Sequence, residues 1–397
     1  MKLLFLTDNF PPEVNAPATR TYEHCIEWVK KGVEVTVITC APNFPKGKVF
    51  KGYKNKLFQT EEIDGIKVIR VWTYISENKG FVKRILDYLS FMVSSFIIGL
   101  FVKTDIIIAT SPQFFTALSG RWLSFWKHKK WIMEVRDLWP ESIKAVGAMN
   151  KGIIIQFFEH LEKRMYKSAH KIVVVTDSFK EILIAKHRVA ETKIKVIKNG
   201  VNSDLFSPTI KDIVLLKKMD LEDKFIVGYI GTHGMAHGLD FIFKCAKKIT
   251  DDRIHFLFLG DGAKKEELLQ LKEVLKLHNV TMLPSVKKSE VASYISILDI
   301  ALVNLKNTNT FKHVLPSKIF ELGAMEKPIL LGVEGEAKKL IESYNVGVSF
   351  IPENEVDFIK KLKEIQVKSF DKENFKCLKK DFNRKNLAKK MLDFISK

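Results

Sequence analysis

Cysteine is scarce in this chain, and its few copies are widely spaced. Cys25, Cys40, Cys245 and Cys377 are the only four among 397 residues, and no two of them form a close pair. Zinc sites and disulfide frameworks built from cysteine need such paired spacing. The sequence therefore argues against both and favours a reducing compartment, the cytoplasm.

Long hydrophobic runs are also missing. The longest uncharged run, residues 88–102, has 15 residues, whereas a helix that spans a bilayer needs about 20. The chain begins with MKLLFLTD, a short apolar strand with no small-residue cleavage site, so secretion is not expected. A buried helix and a helix lying on a membrane surface both fit the run, because Lys83 and Arg84 precede it and the aromatic, cationic segment 122–131 follows it.

Acidic residues are too few to balance the basic ones. Lys and Arg number 65 against 46 Asp and Glu, which gives a formal net charge of +19. This excess favours a phosphorylated substrate or an anionic membrane surface as a partner. No recognisable nucleic-acid reader motif stands out, so nucleic acid is not expected as a partner. An Asp-x-Asp element for a divalent ion is likewise missing, and we expect neither a metal nor another cofactor.

What the chain does contain is a regular alternation of apolar strands and helices. Its length exceeds what one core usually supports, so two domains are predicted. Strands such as KLLFLT and DIIIAT alternate with helices in the first half, and a second series runs from FIVGYIG to GVSFI. The pattern predicts an α/β protein with two Rossmann-like, doubly wound parallel sheets and a cleft between the lobes. We expect domains at 1–205 and 206–377, with a terminal helix at 378–397 that packs back on the first domain.

The most informative segment is FKHVLPSKIFELGAMEKPILLG, residues 311–332. Pro316 and Ser317 predict the start of a helix, with Ser317 able to cap it. The free amides and the dipole at this end favour a diphosphate, and Lys318 adds a full positive charge. Glu321 shares a helix face with Lys318, so one ligand can meet both side chains. A solvated Lys318–Glu321 ion pair on an ordinary helix fits the same residues.

Short turns rich in glycine or proline follow three strands of the second series. Gly231 and Gly234 follow FIVGYI and let the backbone approach a phosphate, although such turns are common. Gly260, in the segment GDG, can let the backbone approach a phosphate in the same way. For this segment, however, an ordinary helix cap is the better interpretation. Pro284 and Ser285 follow VTML, where main-chain groups can meet a flat base.

The first loop of the chain is a candidate cover for a ligand. DNFPPEVNAPATR places Glu13 and Asn15 between the first strand and its helix, with Arg20 in the first helical turn. Such a loop can arch over a ligand, and Arg20 can meet an anion. A rigid surface turn is the alternative interpretation.

Charged residues also follow the buried strand WIMEV. Arg136 and Asp137 come directly after it, at the end of a strand where ligands bind in open α/β sheets. Trp139 can stack on the face of a sugar. We interpret these residues as candidates for chemistry, although Arg136 and Asp137 can also simply hold the shape of the loop.

Six segments in sequence order resemble the retaining glycosyltransferases of family 4, which adopt the GT-B fold. They are FPPEVNAPATR, HKIVVVTDSFKEIL, KVIKNGVNSDLFSP, GYIGTHGMAHGLD, FLGDGAKKEEL and LPSKIFELGAMEKPILLG. The resemblance covers nearly the whole chain. It is nearest to the branch that builds bacterial O-antigen and capsule repeat units, which includes N-acetyl-L-fucosaminyl transferases.

The resemblance implies an activity and a place of action. A UDP-sugar donor would bind the second domain and an acceptor the first. The sugar, an N-acetylated hexosamine or deoxyhexosamine, would pass with anomeric retention to a lipid-linked glycan in the biosynthesis of lipopolysaccharide O-antigen or capsule. The enzyme would work peripherally on the inner face of the cytoplasmic membrane. A UDP-sugar 2-epimerase of the same architecture and a non-catalytic membrane-surface scaffold remain as alternatives.

The resemblance also assigns roles to residues. Glu321 would bond the ribose hydroxyls, Lys318 the diphosphate, and the turn at 231–234 the phosphate region. The implied catalytic residues are Asp137, Arg136 and Lys318. The implied donor-binding residues are Gly231, Thr232, His233, Gly234, His237, Gly260, Asp261, Pro284, Ser285, His313, Pro316, Ser317, Lys318 and Glu321. The implied acceptor-binding residues are Glu13, Asn15, Ala16, Arg20 and Trp139.

Several positions depart from the family pattern. His313 stands where the first of two glutamates is usual, while Thr232 and His237 stand where an arginine and a lysine are usual. Asn15 and Ala16 replace a pair of glycines, and a histidine is common where Arg136 stands. The contacts to the sugar hydroxyls and the neutralisation of the phosphate charge are therefore expected to differ in this chain.

Overall fold

The described residues of the computed structural model, 1–44, 46–75, 81–111, 114–138 and 152–397, form two α/β units. The front unit contains residues 1–198 and 384–397, and the rear unit contains residues 199–383. Each unit has its own sheet and its own apolar core. The predicted pair of Rossmann-like domains is confirmed.

The described part of the front unit holds an eight-stranded sheet. Its strands are β1 (Lys2–Leu6), β2 (Glu34–Cys40), β3 (Phe58–Ile63), β4 (Ile66–Val71), β5 (Ile106–Thr110), β6 (Lys130–Val135), β7 (Lys171–Val174) and β8 (Ile194–Val196). They lie in the order β3-β4-β2-β1-β5-β6-β7-β8. Strands β1, β5 and β7 are almost wholly buried, as expected of central strands in a parallel sheet covered on both faces.

Strand β3 corrects the prediction of a wholly parallel sheet. Its sequence FQTEEI pairs antiparallel with β4. Asp64 and Gly65 turn the chain between the two strands with φ values of 50° and 77°. Because β3 is an edge strand whose alternate residues are exposed, it is polar, and a search for apolar runs does not detect it.

Helices cover the front sheet. In the part of this unit that the structure describes, those before residue 199 are α1 (Ala16–Val29), α2 (Phe81–Leu100), α3 (Phe114–Lys127), α4 (Gly152–Ser168) and α5 (Asp177–Ala185). Helix α1 begins where Asn15 caps it, with the Asn15 side chain accepting a hydrogen bond from the Ala18 amide at 2.9 Å. Each fully buried aliphatic or aromatic side chain beneath these helices stabilises the fold by about 1.5–3 kcal/mol.

Helix α2 contains most of the uncharged run and is buried on one side only, so contact with a membrane surface stays a prediction. Phe91, Met92 and Ser95 are buried against the sheet and α3, whereas Val93 and Ile97 are exposed. The run is therefore neither wholly core nor wholly surface. Among the described residues, no helix has both the length and the apolar character needed to cross a membrane.

The rear unit is built in the same way on a six-stranded sheet, in the order β11-β10-β9-β12-β13-β14, with all strand pairs parallel. The strands are β9 (Phe225–Ile230), β10 (Ile254–Leu259), β11 (Val280–Leu283), β12 (Ile300–Asn304), β13 (Ile329–Gly332) and β14 (Gly347–Ser349). The helices are α6 (Ile213–Lys218), α7 (Leu239–Lys247), α8 (Lys265–Leu275), α9 (Val291–Ser296), α10 (Lys318–Ala324), α11 (Glu336–Tyr344), α12 (Glu355–Val367) and α13 (Lys372–Asp381).

The last helix, α14 (Arg384–Ile395), returns to the front unit. The Trp28 indole donates a hydrogen bond to the Ala388 carbonyl at 2.9 Å. The change of unit falls at 198/199 and 383/384, where the sequence suggested 205 and 378. The physical reason is burial, because Val201, Leu378 and Phe382 belong to the core of the rear unit.

The strand orders place one switch point in each sheet. From β1 the chain moves to β2 on one side and later to β5 on the other, and β9 has the same position between β10 and β12. Ligands of open α/β sheets bind at the carboxyl ends of the strands beside such a point. These ends carry Asp8 and Ser111 in the front unit, and Gly231 and Asn304 in the rear unit.

Candidate functional site

Lys318 is the central side chain of the candidate site in the rear unit. It opens helix α10, and its Nζ lies 3.6 Å from the centroid of the Tyr229 ring. The buried Nζ has no hydrogen-bond partner within the described part of the chain. Ser317 occupies the N-cap position as predicted, but its side chain makes no capping bond with a described residue. Capping by Ser317 is therefore wrong in detail, although the helix does start there.

Burial shapes the electrostatics of this lysine. Removal from water lowers the pKa of Lys318 from 10.5 to about 7, and the nearby Glu321 carboxylate opposes that shift. A buried ammonium without a hydrogen-bond acceptor costs folding free energy. An anion beside Nζ would restore the charged form, so the site is suited to a phosphate group.

Two glycine turns lie against the ammonium. A Cβ placed on Gly231 would lie 2.9 Å from the Lys318 Nζ. A Cβ placed on Gly260 would lie 1.8 Å from the Gly231 carbonyl oxygen, so a larger residue does not fit there. Gly231 and Gly260 also have φ values of 142° and 154°, which favour glycine. The turns after β9 and β10 thus approach each other beside Lys318.

Two histidines complete the polar surroundings of Tyr229. The rings of His233 and His237 lie 6.0 and 5.9 Å from the Tyr229 ring. Burial, helped by the positive charge of lysines nearby, lowers the pKa of His233 to about 4 and that of His237 to about 3. Both imidazoles are therefore neutral near pH 7 and can offer one N–H donor each.

The other predicted donor-site residues lie on four neighbouring segments. Glu321 forms an ion pair with Lys288, whose Nζ is 4.7 Å from the Phe206 ring. The Asp261 carboxylate accepts a hydrogen bond from the Gly262 amide at 2.8 Å. Thr232, Pro284 and Ser285 are exposed, while Gly234, His313 and Pro316 are half-buried. Their roles with a ligand stay predictions.

The structure reveals an aromatic support that sequence reasoning missed. Tyr229 lies in β9, where it reads as one more buried strand residue in FIVGYI. Its hydroxyl donates a hydrogen bond to the Thr232 carbonyl at 2.8 Å, and the Lys318 Nζ lies over its ring. Only its place one residue before the end of the strand hinted at the site.

In the front unit, Arg136 and Asp137 follow β6 as predicted. The Arg136 amide donates to the Ser111 hydroxyl at 3.0 Å. Its buried Nε and Nη1 atoms have no hydrogen-bond partner in the ranges that the structure describes. Burial lowers the pKa of Arg136 to about 10 and raises that of Asp137 to about 6, each charge partly offsetting the other's shift.

Asp8 is a second carboxyl group that the sequence analysis did not single out. It follows β1 at the switch point, and burial raises its pKa, with Arg136 opposing the shift. The sequence feature that could have indicated Asp8 was a single aspartate after an apolar strand. Asp8, Arg136 and Asp137 thus gather at the carboxyl edge of the front sheet.

The residues predicted to meet an acceptor are largely engaged within the front unit. Glu13 accepts hydrogen bonds from the Asn43 and Phe44 amides, both at 2.8 Å, and burial raises its pKa to about 7. Asn15 caps α1, and Ala16 is the first residue of that helix. Trp139 lies outside the described residues. Contact of any of these residues with an acceptor stays a prediction.

Arg20 is buried rather than presented to solvent. Its guanidinium pairs with Glu134 at 2.9 Å and donates to the Ile197 and Lys198 carbonyls at 3.0 and 2.9 Å. Both members of the ion pair are almost completely inaccessible. In the structure, Arg20 ties α1 to the sheet.

This geometry predicts a large loss of stability when the pair is broken. Arg20→Ala should lower the free energy of unfolding by about 3–5 kcal/mol, because it leaves Glu134 charged, buried and without its partner. Urea denaturation measures the change. Glu267→Ala, which breaks the exposed Lys264–Glu267 pair, is the matched control and should cost under about 1 kcal/mol. A small loss for Arg20→Ala, with activity abolished, would instead indicate direct contact with the acceptor.

Comparison with known proteins places the chain in a family. Residues 17–205 match the model of Glycosyltransferase Family 4, and residues 215–376 match that of Glycosyl transferases group 1. The chain therefore belongs to the family 4 glycosyltransferases, as the sequence motifs suggested. The two matches follow the division into front and rear units.

Individual relatives agree with this assignment. The colanic acid biosynthesis glycosyl transferase WcaI of Escherichia coli K12 is 25% identical over 366 residues, 89% of each chain. The teichuronic acid biosynthesis glycosyltransferase TuaH of Bacillus subtilis is 25% identical over 199 residues, 50% of this chain and 49% of TuaH.

A solved structure shares the fold over the whole length. HepE of Anabaena, in complex with UDP and glucose, superposes with a TM-score of 0.74 at 15% identity and covers 100% of this chain and 99% of its own. The likeness supports the GT-B fold of the chain.

Proposed function

We propose that this enzyme transfers a sugar from a UDP-sugar to a lipid-linked glycan during the synthesis of a bacterial surface polysaccharide. The observation that carries the proposal is the buried Lys318 ammonium on the Tyr229 ring, beside the Gly231 and Gly260 turns. The names of WcaI and TuaH support a polysaccharide product, and the UDP complex of HepE supports the donor class. An N-acetylated hexosamine or deoxyhexosamine is the sugar we propose.

The difficult step is departure of the nucleoside diphosphate from the anomeric carbon. Negative charge then grows on the phosphate oxygens, and fixed positive charge at that place stabilises the transition state. Lys318 supplies such charge, while His233 and His237 can supply neutral N–H donors. We propose that these groups do so without a divalent ion.

The acceptor side of the reaction falls to the front unit in this proposal. The Asp137 carboxylate accepts a hydrogen bond from the attacking hydroxyl of the glycan and so orients it. The bond between the anomeric carbon and the phosphate oxygen breaks, and a bond to the glycan oxygen forms on the same face, which retains the anomeric configuration. The proton of the attacking hydroxyl passes to the departing phosphate oxygen, which gains negative charge as it leaves. Burial raises the pKa of the Asp137 carboxyl, and the Arg136 charge opposes that rise and so favours the charged carboxylate.

Incubation with UDP-sugars tests the proposed function. UDP release that needs a bacterial lipid extract, persists in EDTA and yields a retained linkage by NMR supports it. Isomerisation of the UDP-sugar without acceptor would favour an epimerase. Absence of turnover with every UDP-sugar and extract, together with vesicle binding, would favour a scaffold.

The pKa of Lys318 predicts how UDP binding depends on pH. The lysine is charged below about pH 7 and neutral above it, so UDP should bind more weakly as pH rises. Above pH 7, where the UDP phosphates are fully ionised, the dissociation constant should rise by up to about tenfold per pH unit. Calorimetric titration between pH 7 and 9 measures it.

A variant gives the control for that titration. Lys318→Met should bind UDP weakly and with little dependence on pH in the same range, because His233 and His237 stay neutral there. A dissociation constant of the unaltered protein that stays flat from pH 7 to 9 would contradict the assignment of Lys318 to the phosphate.

A further inference from the structure

The outer side of helices α2 and α3 carries large apolar side chains that point to solvent. Phe101, Phe125 and Trp126 are 82%, 72% and 66% exposed. Scattered single apolar residues are ordinary on a surface, but a contiguous group marks an interaction site.

The group is contiguous because the two helices lie side by side. The Phe96 and Trp122 rings are 5.7 Å apart, and the Lys127 ammonium donates to the Leu100 carbonyl at 2.7 Å. The second contact joins the last turns of the helices, directly before Phe101.

Helical spacing arranges these side chains in two stripes. On α3, Trp122, Phe125 and Trp126 are three and four positions apart and share one face. On α2, Val93 and Ile97 are four apart, and Phe101 follows by four more. Ser95 and Leu123, which point the other way, are buried. Each helix thus turns one face to the core and an apolar face outward.

Lysines surround the ends of these stripes. Lys103 and Lys129 are exposed shortly before β5 and β6, and Lys130, the first residue of β6, is exposed as well. Further lysines, Lys171 and Lys193, lie at or directly before the starts of the neighbouring strands β7 and β8. Burial, together with Lys130, Lys171 and Lys193, lowers the pKa of His170. At the other end of α2, Lys83 and Arg84 are exposed.

We infer that this aromatic–lysine face docks on an anionic lipid bilayer. It consists of Val93, Ile97, Phe101, Trp122, Phe125, Trp126, Lys103, Lys129 and Lys130. Aromatic side chains that enter the headgroup region, flanked by lysines that meet anionic lipid, are the chemistry of an interfacial contact. A protein partner or a second copy would have to match a dense positive charge, which an anionic bilayer does without shape complementarity. The aromatic–lysine face would be the membrane-contacting surface of the transferase, and this role rests on the proposed function.

Vesicle binding tests the inference without donor or acceptor. The full chain should sediment with vesicles of phosphatidylcholine mixed with phosphatidylglycerol, much less with phosphatidylcholine alone, and less at high salt because salt screens the lysines. Lys129→Gln with Lys130→Gln should weaken binding on the order of 30-fold. Phe125→Ser with Trp126→Ser should weaken it at least tenfold.

Matched variants on the rear unit complete the design. Lys339→Gln with Lys360→Gln removes the same charge, and Val274→Ser with Val356→Ser removes exposed apolar groups, and neither pair should change binding. Equal losses in these controls, or unchanged binding in the face variants, would overturn the inference. A dimer in sedimentation velocity that the face variants dissociate would also overturn it.

Two further measurements keep the outcomes separable. If Phe125→Ser with Trp126→Ser fails to fold by circular dichroism, the Lys129 and Lys130 variant decides, because both lysines are exposed. UDP affinity should be the same in all these variants. Loss of vesicle binding with UDP affinity intact therefore tests the face alone, whereas loss of UDP binding by Lys318→Met tests the proposed function alone.

Discussion

Lys318→Met should lower kcat/KM for sugar transfer on the order of a hundred- to a thousand-fold and at the same time make the protein more stable. Activity falls because the fixed positive charge beside the leaving phosphates is lost. Stability rises because methionine fills a similar space over the Tyr229 ring without burying an ammonium. Transfer kinetics and thermal unfolding measure the two effects, and a thermal midpoint a few degrees higher is expected.

The pH dependence of that stability difference follows from the same shift. The folded state lowers the pKa of Lys318 from 10.5 to about 7, so between these values the unfolded chain binds more protons at this group than the folded one. Folding of the unaltered protein therefore gains stability as pH rises from 7 toward 10. The advantage of Lys318→Met should shrink over that range.

An exposed lysine of the same unit provides the control. Lys339→Met, on α11, should change neither kcat/KM nor the thermal midpoint appreciably. A Lys318→Met protein that is less stable and loses activity only in proportion would show that the lysine supports the fold instead of the reaction.

Asp137→Asn should lower kcat on the order of a hundred- to ten-thousand-fold while leaving UDP affinity unchanged. The amide has the shape of the carboxyl but is a weaker hydrogen-bond acceptor for the attacking hydroxyl. Burial raises the pKa of Asp137 from 3.8 to about 6. Only the ionised Asp137 carboxylate can orient the attacking hydroxyl in this mechanism. The kcat of the unaltered enzyme should therefore fall as pH drops through about 6.

The comparison variant is Asp252→Asn, at an exposed position of the rear unit, which should retain the kcat of the unaltered protein. Full turnover by Asp137→Asn, or a pH profile of the unaltered enzyme that is flat between pH 5 and pH 7, would remove Asp137 from the proposed mechanism. Equal losses of UDP affinity and turnover would point to a general disturbance of folding.

The order of strands and helices could be predicted because most strands are buried on both faces. Such strands are continuous apolar runs, as in KLLFLT and FIVGYIG, and the helices between them are amphipathic. Strand β3 was not predictable in this way because an exposed edge strand is under little pressure to be apolar. The division of the units at 198/199 depends on where Val201 is buried, which no local pattern shows.

In the candidate site, too, local sequence patterns predicted some residues and missed those that depend on distant neighbours. Lys318 and the Gly231 turn were found because a helix start and a glycine-rich turn leave local marks in the sequence. Tyr229 and Asp8 were missed because their importance comes from neighbours distant in the chain, namely Lys318 and Arg136. Arg20 was assigned to an anion, yet it forms a buried ion pair with Glu134, 114 positions away.

The electrostatic state of the site was also beyond local patterns. The family resemblance implied that His233 and His237 bind the donor, but nothing in the segment GTHGMAHG indicates their charge state. Their low pKa values arise from burial and from lysines on other segments, Lys265 and Lys318 among them. Such shifts depend on three-dimensional neighbours and become visible only in the structure.

A crystal structure of the protein with UDP tests the central claim most directly. The account predicts a phosphate oxygen within about 3 Å of the Lys318 Nζ, next to the Gly231 turn. UDP bound in the rear unit with its phosphates away from Lys318, or bound elsewhere in the chain, would contradict it.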